Sequence, residues 1–163
     1  MLDTLPHLRD TDFPSLRRRA LTTLQVNLGY RCNQSCGHCH VNAGPGRTER
    51  MDAENIDLIP QVLSARGLPT LDLPGGAPEL HPRFRELVRA ARRLGARVLD
   101  RCNLTILSEP GQEDLADFLS AEGVQVVASL PCYLGRTWIG SGARGALPAG
   151  SPACDSLMPL VNA

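Results

Sequence analysis

The sequence predicts an α/β fold with a parallel sheet. Short apolar segments of strand length alternate with longer segments whose apolar residues recur every three or four positions. This alternation favours right-handed crossovers between parallel strands. At 163 residues, the chain is long enough for one domain with its own hydrophobic core.

The first half of the chain begins with a strand and a helix. Residues 22–28 alternate apolar and polar side chains, and Gly29 ends this predicted strand. A helix is predicted over residues 52–66, with Asp52 as its N-cap. Because Pro60 lies inside this helix, we expect a kink or an early break there.

Two further strand–helix pairs and a last strand follow. Residues 68–73, 97–101 and 124–130 are the predicted second, third and fourth strands. The fourth is nearly all apolar, which is typical of a strand covered on both faces. A helix opens at Pro82, and another spans residues 111–122. The apolar stripe of the first of these helices comprises Phe84, Leu87, Val88, Ala91 and Leu94.

Polar, cysteine and glycine residues follow the ends of all four predicted strands. They are the segment 32–39, the pair Gly75 and Gly76, Asn103 and Cys132. The carboxyl ends of parallel strands lie at one edge of a sheet, where ligands bind in parallel α/β folds. The sequence therefore predicts a ligand site at this edge.

Three cysteines in the segment after the first strand have the spacing C-x3-C-x2-C. Structural zinc sites need four ligands and usually come as paired C-x2-C units, and no second pair follows here. Three thiolates on one loop suit a cubane iron–sulfur cluster with one iron free to bind a small molecule. A zinc site with His38 or His40 as the fourth ligand is the alternative. The predicted metal ligands are Cys32, Cys36 and Cys39.

This cysteine motif, placed after a first strand, resembles the signature of the radical S-adenosylmethionine (radical SAM) superfamily. The stretch 71–79, Leu-Asp-Leu-Pro-Gly-Gly-Ala-Pro-Glu, is similar to the Gly-Gly-Glu-Pro motif of that family, with Ala77 in place of the acid. The resemblance implies a partial (β/α) barrel, truncated to about four βα units. It also implies a [4Fe-4S] cluster whose open iron binds S-adenosylmethionine, which is cleaved to a 5′-deoxyadenosyl radical.

Several local motifs resemble the arsenosugar-biosynthesis subfamily of radical SAM proteins. They are segments 36–45, 47–49, 101–105 and 129–133. The subfamily resemblance implies adenosylation of a trivalent methylated arsenical, with flavodoxin or ferredoxin as the one-electron reductant. Cys102 and Cys132 are then candidate substrate thiols, because soft thiolates bind trivalent arsenic. The cofactor-binding residues that the resemblance implies are His38, Gly75, Gly76, Ala77 and Asn103.

Charge and composition limit the partners. The formal net charge is zero, from 17 basic and 17 acidic residues, so the sequence offers no electrostatic footprint for nucleic acid or an anionic membrane. No segment has the length of a membrane span, and the N-terminal residues do not read as a signal peptide. We therefore expect a cytoplasmic protein that binds neither nucleic acid nor membrane.

Three regions are predicted along the chain: an N-terminal arm over 1–20, a radical SAM core over 21–134 and a tail over 135–163. More than half of the tail is Gly, Ala, Pro or Ser, without periodicity, and such composition cannot support a packed core. We expect an out-of-frame tail, with a natural linker or a short homologue as alternatives. The alternatives to a radical SAM enzyme are a non-catalytic zinc or iron–sulfur module and a non-functional truncated product.

Overall fold

A single parallel sheet organises the fold in the computed structural model, which describes residues 5–8, 11, 12, 14, 19–37 and 39–129. Within these ranges four parallel strands follow one another in sequence order. They are β1 (Thr23–Gln25), β2 (Thr70–Leu73), β3 (Arg97–Asp100) and β4 (Gln125–Val126). The predicted α/β class with a parallel sheet is confirmed, and a partial (β/α) barrel is consistent with it.

Helical segments connect each strand to the next. The four α-helices of the described ranges are α1 (Leu5–Leu8), α2 (Ala53–Arg66), α3 (Phe84–Arg93) and α4 (Leu115–Ala121). Short 3-10 helices at Pro78–Leu80 and Thr105–Ser108 precede α3 and α4. Since every crossover contains a helix, the carboxyl ends of the strands lie at the same edge of the sheet.

Helix α2 has the caps that its sequence predicts. The Asp52 side chain accepts a hydrogen bond from the Asn55 backbone N–H at 2.8 Å, and Gly67 ends the helix in the left-handed conformation. The helix is continuous through Pro60, so the expected early break is wrong. Buried side chains on both sides of the proline hold the helix against the core and offset the missing N–H: Ile56, Ile59 and Leu63.

Helix α3 carries the centre of the core but is shorter than predicted. It begins at Phe84 rather than at Pro82, and Leu94 is 48% exposed although the sequence placed it in the apolar stripe. Leu94 follows the last helical residue, so its side chain no longer keeps the helical spacing. Phe84 packs edge to face against Phe118 of α4, with ring centroids 6.4 Å apart.

The later elements differ most from expectation. The helix predicted over 111–122 begins only at Leu115, and the 3-10 helix Thr105–Ser108 was not predicted. Gln125 of β4 and Val127, which directly follows the strand, are exposed, so the expectation of a strand covered on both faces is wrong among the described residues. The backbone nevertheless continues the pairing beyond the strand, because Ser129 N–H donates to Cys102 O at 2.9 Å.

The predicted domain boundaries stay predictions. Only part of the arm over 1–20 belongs to the described residues, and the tail over 135–163 lies outside them. None of the helices in the described ranges combines the length and the apolar character that crossing a membrane would need.

The packing of α3 leads to a stability prediction. Leu87 is 1% exposed and Leu94 is 48% exposed, so the same substitution should have very different costs at these positions. Leu87→Ala should lower the free energy of unfolding by about 2–5 kcal/mol, and Leu94→Ala should change it by less than about 0.5 kcal/mol. Urea unfolding followed by circular dichroism measures both. Equal effects would contradict the observed orientation of α3.

Candidate functional site

A cavity of about 730 Å³ opens at the carboxyl ends of the strands. It contains all three predicted metal ligands and three of the predicted cofactor contacts. The residues that line it are Gln25, Asn27, Cys32, Gln34, Cys36, Cys39, His40, Val41, Ala43, Pro74, Gly75, Gly76, Arg101, Asn103 and Ser129. The predicted ligand site at this edge of the sheet therefore corresponds to a cavity of the size that small-molecule ligands occupy.

The cysteine loop is closed at its base by backbone hydrogen bonds. Cys32 N–H donates to Gly44 O at 3.2 Å, and Gly44 N–H donates to Tyr30 O at 3.1 Å. Within the loop, Cys39 N–H donates to Cys36 O at 3.1 Å. These bonds bring the two ends of the cysteine loop together at residues 32 and 44. The three thiols of the loop line the same cavity.

Two of the three sulfur atoms accept hydrogen bonds from nitrogen donors. Cys32 Sγ receives the Gln34 backbone N–H and the Asn103 side-chain amide, each at 3.4 Å. Cys39 Sγ receives the Ala43 backbone N–H at 3.3 Å. Hydrogen bonds of this kind stabilise thiolate sulfur and tune metal centres. The loop is thus arranged to present sulfur as an electron-rich ligand.

Burial raises the pKa of the Cys32 thiol, and the Gln34 and Asn103 donors oppose this effect. Burial also raises the pKa of Cys36, with a further increase from the charge of Cys39. Thiols in this environment keep their protons unless positive charge enters the cavity. A bound metal centre supplies that charge and converts the thiols to thiolates.

The separation of the three thiols does not match a single zinc ion. Sulfur atoms around one tetrahedral zinc lie about 3.8 Å apart, given zinc–sulfur bonds of about 2.3 Å. Among the described residues, only the ligand atoms of Glu79, Asp100 and Cys102 form a group of three within 4.8 Å of one another. The three loop thiols are not all within this distance of one another, and a multinuclear cluster is the kind of centre that a wider spacing accommodates.

Gly75 and Gly76 line the cavity because the second loop packs closely against the first. Gly75 has a φ of +139°, and an added Cβ would lie 2.5 Å from Asn27 Oδ1. At Gly76 an added Cβ would collide with the backbone carbonyl of Arg31. Gly76 N–H also donates to Gly29 O at 3.2 Å. Glycine is therefore required here for loop packing, whatever the cavity holds.

Ala77 does not line the cavity. Its side chain is 5% exposed, and its backbone N–H donates to Arg31 O at 2.9 Å. The position thus joins the second loop to the cysteine loop, and a cofactor contact through this N–H is not available.

Asn103 lies in the cavity wall, but its polar atoms are engaged within the protein. Its amide nitrogen donates to Asn33 Oδ1 at 2.8 Å as well as to Cys32 Sγ. Its Oδ1 accepts from Ile106 N–H at 3.1 Å and from the Thr105 hydroxyl at 3.0 Å. Asn103 therefore caps the turn after β3 and ties it to the cysteine loop.

The candidate substrate thiol Cys102 is not in the cavity. It is 1% exposed, and the nearby charges that raise its pKa belong to Glu79 and Asp100. A thiol buried beside two acids cannot meet a substrate in the cavity, which argues against the substrate role expected for Cys102. His38 and Cys132 lie outside the described residues, so their roles stay predictions.

Sequence reasoning missed a polar group on the cavity floor. Arg101 donates to both oxygens of Asp72 at 2.8 Å, and Gln25 Nε2 donates to Asp72 Oδ2 at 2.8 Å. The Arg101 guanidinium holds the pKa of Asp72 below its usual value, with help from Gln25. An acid between the two leucines of β2 was the signal that could have revealed this group.

Gln34 is a second residue that sequence reasoning missed. It is 8% exposed and lines the cavity beside the cysteines. Its Oε1 accepts the Cys36 thiol at 3.5 Å, while its amide nitrogen is buried without a hydrogen-bond partner among the described residues. Buried donors are normally satisfied, so this nitrogen is available to a group bound in the cavity.

Sequence comparison identifies related proteins. The model of the Radical SAM superfamily matches residues 26–130. A probable GTP 3′,8-cyclase of Saccharolobus solfataricus is 32% identical over 77 residues, which are 47% of this chain and 25% of the relative. The sporulation killing factor maturation protein SkfB of Bacillus subtilis is 36% identical over 69 residues, 42% of this chain and 17% of the relative. The match spans about a quarter or less of each relative.

Structure comparison finds Streptococcus suis SuiB, solved with bound S-adenosylmethionine. The TM-score is 0.49 at 16% identity, and the match covers 61% of this chain and 22% of that protein.

Two glycines of the cavity loops provide a matched pair of substitutions. Gly76→Ala should force the segment 29–31 away from the second loop, because the new Cβ overlaps the Arg31 backbone. We expect a lower melting temperature and reduced iron incorporation after anaerobic reconstitution. Gly37→Ala is the control, since no atom lies within 4 Å of its Cβ position. Unchanged iron content in Gly76→Ala would show that loop packing does not position the cysteines.

The Asp72–Arg101 pair predicts a pH dependence of stability. Because the folded-state pKa of Asp72 is lowered, its stabilisation is present above the unfolded pKa of about 3.9 and is lost as the pH falls through the folded pKa. The stability advantage of the wild type over Asp72→Asn should therefore shrink as the pH falls below about 4. Urea unfolding at several pH values measures it, with the exposed Asp117→Asn as control. A constant advantage would contradict the pairing.

Proposed function

The chain belongs to the radical SAM superfamily, and we propose that Cys32, Cys36 and Cys39 hold its [4Fe-4S] cluster. Enzymes of this superfamily use such a cluster with S-adenosylmethionine. When bound, the cluster supplies one electron to the sulfonium of S-adenosylmethionine, which yields methionine and a 5′-deoxyadenosyl radical. The protein supplies the ligands, the orientation and the enclosure.

The observation that carries this proposal is the arrangement of the three thiols. They line one cavity, nitrogen donors reach two of the sulfur atoms, and their spacing exceeds that of a single-ion site. A non-catalytic zinc module would instead require the sulfur atoms to lie about 3.8 Å apart around one ion. The spacing of the thiols is therefore the feature that favours a cluster over a single structural zinc ion.

S-adenosylmethionine would occupy the cavity between the cysteine loop and the Gly75–Gly76 turn. Both glycines line this wall, and their lack of side chains leaves the backbone accessible. The buried Gln34 amide nitrogen is an unused donor beside the cysteines. We assign cofactor contact to Gly75, Gly76 and Gln34, and we assign a loop-positioning role to Ala77 and Asn103.

The substrate would approach from the floor of the cavity. Gln25 and Arg101 line the cavity there and hold the buried Asp72 behind them, and the Arg101 side chain is 47% exposed. Since Arg101 uses Nε and Nη2 for Asp72, its remaining nitrogen is the donor that it can offer to a substrate. This polar floor suits a small substrate with acceptor atoms.

We further propose a trivalent methylated arsenical as that substrate, on the motif resemblance of segments 36–45, 101–105 and 129–133. Methionine leaves with the electron pair of the broken C5′–S bond, and arsenic contributes the pair of the new C5′–As bond. Because the cleavage begins with one added electron, one electron is left over when the radical adds to the arsenic lone pair, and it would return to the oxidised iron–sulfur centre. The transfer would then consume no net electron, and flavodoxin or ferredoxin would only supply the first one. Cys132 is the remaining candidate thiol for arsenic.

Cluster binding is tested by single alanine substitutions. Cys32→Ala, Cys36→Ala and Cys39→Ala should each abolish the broad absorption at about 400 nm that iron–sulfur clusters give. Cys154→Ala is the control, because Cys154 belongs to none of the motifs that predict the site, and it should retain the absorption. Wild-type protein that takes up no iron when it is reconstituted anaerobically with iron and sulfide would refute the cluster assignment.

Turnover is tested by mass spectrometry of anaerobic reactions that contain dithionite, S-adenosylmethionine and dimethylated trivalent arsenic. We expect the wild type to form a product that carries the adenosyl group on arsenic, and 5′-deoxyadenosine from the part of the radical that abstracts a hydrogen atom instead. The Cys36→Ala variant should form neither. Formation of 5′-deoxyadenosine without any arsenical product would support the radical SAM activity and reject the arsenical as substrate.

A further inference from the structure

Two acids and a thiol form a buried group behind the cavity. Glu79 belongs to the 3-10 helix Pro78–Leu80, Asp100 is the last residue of β3, and Cys102 follows two residues later. One ligand atom from each lies within 4.8 Å of the other two. Their exposed fractions are 5%, 0% and 1%. None of the three lines the cavity that holds the loop cysteines.

Among the described residues, none outside the group donates a hydrogen bond to the two carboxylates, and all four oxygen atoms of Glu79 and Asp100 are buried. The side-chain contacts of Glu79 are with Cys102 and Asp100 themselves. Asp72 provides the comparison, because it is an equally buried acid on the neighbouring strand and is bound by Arg101 and Gln25. Buried carboxylates without donors or counter-charge are strongly unfavourable. The group therefore lacks a positively charged partner that Asp72 has.

The pKa values of the three side chains also reflect the absence of a positively charged partner. Burial raises the pKa of Glu79, and burial together with the charge of Glu79 raises the pKa of Asp100 well above its usual value. Burial and both acids likewise raise the pKa of Cys102. No arginine or histidine of the described residues is hydrogen-bonded or ion-paired to these side chains.

We propose that Glu79, Asp100 and Cys102 bind a divalent transition-metal ion of the zinc type. One ion would satisfy both carboxylates and the thiolate at once, and its charge would compensate theirs. Donor atoms around a tetrahedral zinc lie about 3.3–3.8 Å apart, given bonds of about 2.0–2.3 Å. The ligand atoms of the group lie within 4.8 Å of one another, so side-chain movements of about 1.5 Å or less would complete the site. Magnesium and calcium require oxygen donors, and the thiol therefore favours zinc.

Gln112 is the candidate for a fourth donor. Its Oε1 is also buried without a partner, and its amide nitrogen donates to the Glu79 backbone oxygen at 3.3 Å. An amide oxygen is a hard donor like the two carboxylates. With it, the site would have the four ligands of a closed structural centre.

The metal would join two segments that form the cavity wall. Glu79 follows the Gly75–Gly76 turn, and Cys102 precedes Asn103, which donates to Cys32 Sγ. A buried site of this kind assembles as the protein folds, so metal binding contributes to the free energy of folding. Metal binding at this site can be tested without the iron–sulfur cluster and without the proposed reaction.

The experiment uses a full-length background in which Cys32, Cys36 and Cys39 are all alanine, so that the loop binds no metal. The protein is purified without chelators, and zinc is measured by plasma mass spectrometry. We expect one equivalent of zinc in this background and in its Asp72→Asn derivative. We expect none after Cys102→Ser or Asp100→Asn. Cobalt substitution should give a thiolate charge-transfer band that disappears with Cys102→Ser.

Thermal unfolding keeps the test informative if a variant folds poorly. Zinc should raise the melting temperature of the background over its value in chelator, and should not do so for Cys102→Ser, which is nearly isosteric. A background protein that folds, contains no zinc and is not stabilised by added zinc or cobalt would overturn the proposal. The two carboxyls would then share protons, and Asp100→Asn would be at least as stable as the background.

Discussion

The close contact between the backbones of two loops is the constraint on which the site depends. Gly76 and Ala77 donate hydrogen bonds to Gly29 and Arg31, so the turn after β2 lies directly against the chain that leads into Cys32. A side chain at Gly76 would occupy the position of the Arg31 carbonyl. The thiols can face the second loop only because this contact is made by glycine. The packing of the two loops against each other thus creates the cavity, whatever ligand it binds.

The sequence predicted the order and type of the elements because each has a periodic apolar pattern that local reading detects. It failed where tertiary contacts decide the boundary. Helix α2 continues through Pro60 because the burial of its apolar face offsets the backbone hydrogen bond that proline cannot donate. The turn at Thr105–Ser108 depends on Asn103 accepting from Ile106 N–H, and a single asparagine in the sequence did not reveal this cap.

The sequence predicted those parts of the site whose residues lie close together along the chain or directly after a strand. Cys32, Cys36 and Cys39 lie on one loop, so their spacing identified them, and strand ends predicted Gly75 and Gly76 beside them. The pairing of Asp72 with Arg101 and Gln25 joins three strands, and its geometry follows from the register. Sequence alone does not give that register, and therefore it gave neither the polar cavity floor nor the buried group around Asp100.

The register also explains why two acids on neighbouring strands differ so much. Asp72 is opposite Leu99 and Asp100 is opposite Leu73, so their side chains point to opposite faces of the sheet. Asp72 shares its face with Arg101, and Asp100 shares its face with Cys102. At the next position, Asn103 returns to the cavity side and donates to Cys32 Sγ. Three consecutive residues thus connect the paired acid, the buried group and the cysteine loop. An ion bound by Asp100 and Cys102 would fix the backbone that presents Asn103 to the cluster ligand.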